Sequence, residues 1–178
     1  VASGGLPGDL VHVAMDGSLT TIVKGGPLVV DLDVDGEGNY LGAGFGTGGK
    51  AQNAVFTVSP AGTIVTLIQG GSNQPFGKIY AMAMDTQSGD VVVFDGAGYI
   101  LRITRDAKPV VTTIVTSLST GGNGGLHPLY GRRNQLIGVW NRTTIHSLVL
   151  GSSTPLTTIK NGSPFVWLAD VEYEPATG

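Results

Sequence analysis

An all-β fold is what this sequence predicts, and three observations predict it. The first is composition. Of 178 residues, 29 are glycine and only 13 % are charged. That is too apolar for a disordered chain and unlike the Ala/Glu/Lys/Leu mixture of a helical bundle. The second is the make-up of the apolar runs, which are rich in Val, Ile and Thr and separated by Gly, Ser, Asn and Asp. Residues branched at Cβ are stiff and crowd a helix turn, but they fit a pleated sheet. The third is internal repetition. Four Thr-rich segments, LTTIVKGG, IVTLIQGG, VTTIVTSL and LTTIKNGS, align on Thr21, Thr66, Thr113 and Thr158, at spacings of 45, 47 and 45 residues.

A period near 45 belongs to propeller blades or to helical repeats. The period-2 patterning and the glycines exclude helices. The second repeat reads as LVVDLDV, a DGEG turn, NYLGAGF, a GTGGKAQ loop, NAVFTVS, a PAG turn and TIVTLI. The third reads KIYAMAM, DTQSG, DVVVF, DGAG, YILRITR, DAK and PVVTTIV; the fourth reads LHPLYG, RRN, QLIGVW, NRTT, IHSLVL, GSST and PLTTIK. The linkers KGGP, QGGSNQPFG, STGGNGG and KNGSP separate the repeats. Four antiparallel strands per repeat, tight hairpins within and glycine linkers between, describe a β-propeller.

The termini share one blade. PFVWLADVEYEPATG reads as a first strand and its turn, and VASGGLPGDLVHVAMDGSLTTIV as the other three strands. The chain is therefore read as one propeller domain or half-propeller over 1–178, with four four-stranded blades of about 45 residues. They cover 165–178 plus 1–26, then 27–72, 73–118 and 119–164. A strand borrowed across the termini leaves no sheet edge bare. Three arrangements stay open: a solitary four-bladed ring, a homodimer forming an eight-bladed ring, or a piece of a longer propeller. Because the chain begins with Val1 rather than Met, a processed chain or a fragment is expected; the pair or the fragment is favoured over the solitary ring.

Charge and cysteine usage exclude several function classes. Net charge is −3 and the pI is near 5.4, which leaves no basic footprint for nucleic acid. Arg132-Arg133 reads as a solvated turn tip. No apolar run reaches the roughly 18 residues of a membrane helix. The chain has no cysteine, hence no disulfide framework and no thiolate chemistry. That absence fits either redox compartment; a secreted or extracytoplasmic location is the working expectation.

The segments AMDTQSGDVVVFDG and DVDGEGNYLGAGFG share a phrasing: an apolar strand, an Asp, a Gly-Asn or Gly-Asp turn, and a second apolar run. This phrasing resembles NHL-type and related streptogramin-lyase-like propeller repeats, over the whole chain at the level of blade pattern. The resemblance implies a fold rather than an activity. Streptogramin-lyase relatives use a His and an acid with a divalent metal on the ligand face. Lactonase-type propellers use a Glu, Asn and Asp set around calcium, for which no positions are assigned here.

The stretch DLDVDGEGNY over 31–40 admits two readings. Asp31, Asp33 and Asp35 followed by Gly36 imitate a calcium loop, but Gly42 stands at the twelfth position, where a helix–loop–helix site supplies its bidentate Glu. Asp35 aligns with Asp85 at the end of a first strand, where an Asp accepts backbone N–H groups and fixes the turn. Asp31 and Asp33 share one strand face, with Val30, Leu32 and Val34 on the other. Asp170 and Glu172 occupy the equivalent positions of the C-terminal strand. These carboxylates are read as a hydrated acidic channel wall; the alternative is a divalent cation such as Ca²⁺ held by Asp31, Asp33, Asp170 and Glu172.

No catalytic set is legible. His12 and His146 read as half-buried third-strand positions, and His127 sits beside the glycine-rich linker near the expected ligand face. That face is expected from the inter-blade linkers and the loops between second and third strands. It would hold Lys50, Asn53, Asn73, Gln74, Asn123, His127, Trp140, Asn141 and Trp167, with Gln52, Phe76, Arg142 and Phe165 nearby. Aromatics among amides suit a glycan or a peptide; the same aromatics also serve as packing between blades. The expected function is a non-catalytic binding or scaffold module without a cofactor, its partner a protein, a glycan or another copy of itself. The alternative is a metal-assisted lyase or hydrolase using His127 with Asp31 or Asp170.

Overall fold

The computed structural model describes residues 8–45, 53–70, 77, 79–85, 88–95, 97–116, 129–132, 135–140, 144–152 and 156–161. These residues form fourteen strands and no helix. Strands β1 (Leu10–Val13) and β2 (Leu19–Val23) make a hairpin. Strands β3 (Leu28–Val34), β4 (Tyr40–Phe45), β5 (Asn53–Val58) and β6 (Ile64–Gln69) form a four-stranded sheet. A second sheet holds β7 (Ile79–Met84), β8 (Val91–Asp95), β9 (Ile100–Ile103) and β10 (Val111–Val115). A third holds β11 (Leu129–Arg132), β12 (Gln135–Trp140), β13 (Thr144–Val149) and β14 (Leu156–Asn161). Every four-stranded sheet is an antiparallel meander in chain order. The architecture is all-β and propeller-like. The chain divides into two compact units, Val1–Ile79 and Tyr80–Gly178.

The hairpins follow from a repeated turn chemistry. In the sequence X-x-x-Gly-x, the first residue donates its N–H to the carbonyl of the fifth and accepts from the glycine N–H. Ala14 to Ser18, Asp35 to Asn39, Ser59 to Thr63 and Asp95 to Tyr99 all close this way. The glycines Gly17, Gly38, Gly62 and Gly98 sit at φ between 82° and 90°, the left-handed region that closes a short hairpin and that a Cβ disfavours. At Gly62 a Cβ would also run into the Ile22 carbonyl oxygen.

The Thr repeat is the solvent side of each sheet. Thr20, Thr21, Thr66, Thr112, Thr113, Thr157 and Thr158 are exposed on the last strand of their sheet or hairpin. Thr there satisfies strand propensity while offering a hydroxyl to water on an edge that would otherwise invite pairing. In the second sheet the apolar side chains concentrate inward: β8 is buried throughout and β7 nearly so.

Each unit has its own core. In the first, Leu10, Phe56 and Val58 pack with Ile22, Val23, Val29, Leu32, Tyr40 and Ile64, joining the β1–β2 hairpin to the β3–β6 sheet. In the second, Ala81, Ala83, Val92, Phe94 and Ile100 meet Leu136, Leu148 and Leu150, joining sheets β7–β10 and β11–β14. Gly42 lies opposite Phe56 in the β4–β5 ladder, and a Cβ on it would overlap the Phe56 ring.

One predicted face is corrected. The sequence places Val30, Leu32 and Val34 together on the apolar side of β3. A β-bulge between Val29 and Asp31 adds a residue and shifts the alternation. Val29 and Leu32 therefore reach the core while Val30 turns outward; Val34, on the Leu32 side but at the last position of β3, is exposed as well.

Candidate functional site

A meander has two chemically different ends. In the sheets here the turns after first and third strands lie at one end: β3–β4, β5–β6, β7–β8, β9–β10 and β13–β14. The connections between second and third strands, β4–β5, β8–β9 and β12–β13, lie at the other, as do the chain entries and exits of each sheet.

The turn end is chemically saturated. Asp35 is buried, and its Oδ1 accepts the N–H of Glu37 at 3.0 Å and of Asn39 at 2.8 Å. Its Oδ2 accepts Asn39 Nδ2 at 3.0 Å. This is the turn-fixing role read from its alignment with Asp85. At β7–β8, Ser88 Oγ donates to Asp85 Oδ2 at 2.7 Å and accepts the Asp90 N–H at 3.2 Å. Arg102, reaching over from β9, donates from Nε to Asp90 Oδ2 at 2.6 Å and brings Nη2 within 3.8 Å of Asp85 Oδ2. Asp85 and Asp90 are both buried, so the guanidinium supplies the positive charge that two desolvated carboxylates require. Sequence reasoning missed this cluster. Its signal is the register: Arg102 pairs with Val92, two residues past Asp90, which places both side chains on one face of the ladder.

The predicted acidic strand is only partly in view. Asp31 and Asp33 lie on β3 opposite Ala43 and Leu41, half-buried. Each Oδ1 accepts the N–H of the following residue, Leu32 at 2.9 Å and Val34 at 2.8 Å. Asp170 and Glu172 lie outside the described residues. Among the described residues no three His, Asp or Glu side chains gather closely enough to hold a metal ion.

The loop end carries the predicted ligand-face residues that are described. Asn53 opens β5 opposite Phe45, and Trp140 closes β12 opposite Thr144. In the β7–β10 sheet the same end holds Asp95, buried and accepting the Ala97 N–H, beside the exposed Tyr99. Lys50, Asn73, Gln74, Asn123, His127, Asn141 and Trp167 lie outside the described residues.

The two remaining histidines do not match as expected. The sequence puts His12 and His146 at corresponding half-buried positions. His12 is exposed, one residue from the last ladder pair Val13–Leu19, with Nδ1 3.2 Å from the Tyr40 hydroxyl. His146 is two residues from the corresponding pair Leu148–Leu156, so the two rings take opposite faces of their hairpins. His146 lines an apolar cleft with Val92, Phe94, Leu136, Leu148 and Leu156, and its Nδ1 lies 3.3 Å from Thr158 Oγ1. Burial there holds its pKa below the ordinary histidine value.

No protein-family model and no curated protein sequence matches this chain. Its fold is similar to solved structures. One is an auxiliary nutrient binding protein from Bacteroides ovatus: TM-score 0.65, 11 % identity, covering 90 % of this chain and 39 % of that one. Another is a protein provisionally named a gluconolactonase: TM-score 0.55, 14 % identity, covering 94 % of this chain and 70 % of that one. The chain thus spans well under half the length of the first. At such identities the likeness is one of fold.

Proposed function

We propose that this chain is a propeller-like binding module that meets its ligand at the loop ends of its sheets. The observation that carries the reading is the chemical character of the turn end in the β3–β6 and β7–β10 sheets. The turn end spends its carboxylates on its own backbone and on Arg102. The loop end carries Asn53, Tyr99 and Trp140 beside the connections between second and third strands. In a propeller-like ring those ends share one face. The fold likeness to a nutrient binding protein supports the same reading. The finer architecture proposed with it is four blades of NHL type, one split between 165–178 and 1–26. Aromatic and amide groups suit a glycan or a peptide. The test is Trp fluorescence, since the chain has two tryptophans. A panel of soluble oligosaccharides and short peptides should give a saturable change, weakened in Trp140→Ala and Asn53→Ala. A flat response across the panel refutes the reading.

A second reading, a metal-assisted lyase or hydrolase, is favoured by the gluconolactonase likeness. It would use His127 with Asp31 or Asp170, and a divalent cation on Asp31, Asp33, Asp170 and Glu172. A thermal shift with Ca²⁺, Mg²⁺ or Mn²⁺, lost in Asp33→Asn with Glu172→Gln, would favour it, because a ligand bound only by the native state raises the melting point.

A further inference from the structure

One position of the repeat holds a titratable side chain where its counterparts are apolar, and we infer that this makes the seam between the β7–β10 and β11–β14 sheets yield to acid. The position is Val11, Phe56, Leu101 and His146, which recur at intervals of 45 residues. The ladders fix the equivalence, because each lies opposite its own repeat Thr: Thr21, Thr66, Thr113 and Thr158.

The two units then offer two versions of one seam. In the first unit Phe56 closes the seam between the β1–β2 hairpin and the β3–β6 sheet. It is 2 % exposed and packs with Leu10. Its ring lies over its ladder partner Gly42, where a Cβ would overlap it. In the second unit His146 takes that place. It too stands opposite a glycine, Gly138. It lines the apolar cleft with Ile100, which precedes Leu101 as Leu10 precedes Val11. His146 is half-buried there, with Nδ1 3.3 Å from Thr158 Oγ1.

A neutral imidazole suits these walls, whereas an imidazolium must be drawn from water against them. The charged and titratable groups on the surrounding strands can be placed. The ladder partners Gly138 and Thr158 carry no charge. On β14 the charge is Lys160, opposite Ile145. On β9 it is Arg102, which shares the Ile100 side of the strand and is held by Asp90 and Asp85. β8 ends in Asp95, which alternates to the side away from Phe94 and accepts the Ala97 N–H. Tyr80 on β7 sets its ring 6.2 Å from that of Phe94. The downward direction of the His146 pKa agrees with this geometry. An open seam returns the imidazole to water, where it binds a proton at the ordinary value. Acid therefore favours the open form below pH 6.5, by at most tenfold per pH unit, since one proton is taken up. This inference does not depend on the ligand reading, and its test reads amide exchange rather than binding.

Amide protection factors, corrected for intrinsic exchange, are measured by NMR between pH 7 and pH 5. In the wild type, protection at Ile100, Leu136 and Leu148 should fall with acid, by no more than tenfold per unit. His146→Phe installs the residue that the first unit uses opposite its glycine. It should keep the β-sheet circular dichroism spectrum and hold protection constant across the same range. His146→Gln, neutral and polar, should also abolish the pH dependence, and it serves if Phe does not fit the cleft. Unchanged wild-type protection would overturn the inference. So would an equal loss at Val55 and Val58 in the first unit, or a pH dependence that survives in His146→Gln.

Discussion

Replacing Asp35 tests whether the DGEG segment is a turn or an ion loop. Asp35→Ala removes an acceptor from the Glu37 N–H, the Asn39 N–H and Asn39 Nδ2. A hydrogen bond to a charged group contributes about 1.5–3 kcal/mol when buried, but this turn borders solvent and the freed donors can reach water. A loss of about 1 kcal/mol per backbone bond, with a smaller part for the amide, gives roughly 2–3 kcal/mol for Asp35→Ala. Asp35→Asn keeps one carbonyl oxygen for both backbone donors and opposes only Asn39 Nδ2, so it should cost about 1 kcal/mol. Urea unfolding measures both, with an unchanged slope if only native stability has changed. Amide exchange localises the effect, because protection at Glu37 and Asn39 should fall in the Ala variant and persist in the Asn variant. If Asp35 instead held a cation, Asn would cost as much as Ala, and millimolar calcium would stabilise the wild type alone. Either result, or an Asp35→Ala within about 0.5 kcal/mol of wild type, refutes the turn argument.

Two further predictions follow from the second unit. Arg102→Met leaves Asp85 and Asp90 buried without their guanidinium and should cost about 2–4 kcal/mol, at or below the range for breaking a buried pair because Arg102 is partly exposed. In a double-mutant cycle with Asp90→Asn, the coupling should be positive; additive losses would show that the pair contributes nothing. His146 titrates below its ordinary value because burial disfavours its charged form. The unfolded chain therefore binds the proton more readily than the folded one. Stability is full above pH 6.5 and falls as the pH drops through 6.5 toward the folded value. His146→Gln should flatten that part of the stability–pH curve; an unchanged slope would assign it to other groups.

Much of the fold was legible because its determinants are local. The turns DGEG, PAG and DGAG sit where the glycine and first-residue chemistry puts them, and the Thr repeats mark the exposed last strands. What was illegible depends on register. The bulge after Val29 turned Val30 outward and could not be seen from alternation alone, since one extra residue exchanges the two faces. The same one-residue offset separates His12 from His146. The Asp90–Arg102 contact crosses two strands, so no linear motif carries it.

These errors bear on where function is to be sought. The aspartates at strand ends, Asp35 and Asp85, read from sequence as turn-fixing groups, and the acidic strand as a hydrated channel wall. In the described turns the carboxylates are consumed locally: Asp35 by Glu37 and Asn39, Asp85 by Ser88, Asp90 by Arg102 and Asp95 by Ala97. A carboxylate already accepting donors from its own turn has fewer lone pairs for a ligand, and drawing it away would leave buried backbone N–H groups unsatisfied. The turn end is therefore built for closure. Under the proposed reading, ligand chemistry falls to the side chains at the other end, where Tyr99 stands exposed beside the locally satisfied Asp95 and the connections from Phe45 to Asn53 and from Trp140 to Thr144 differ in length and residue type. Variation at one end of a conserved register is how a repeated scaffold acquires a specific site without disturbing the hydrogen bonds that hold it.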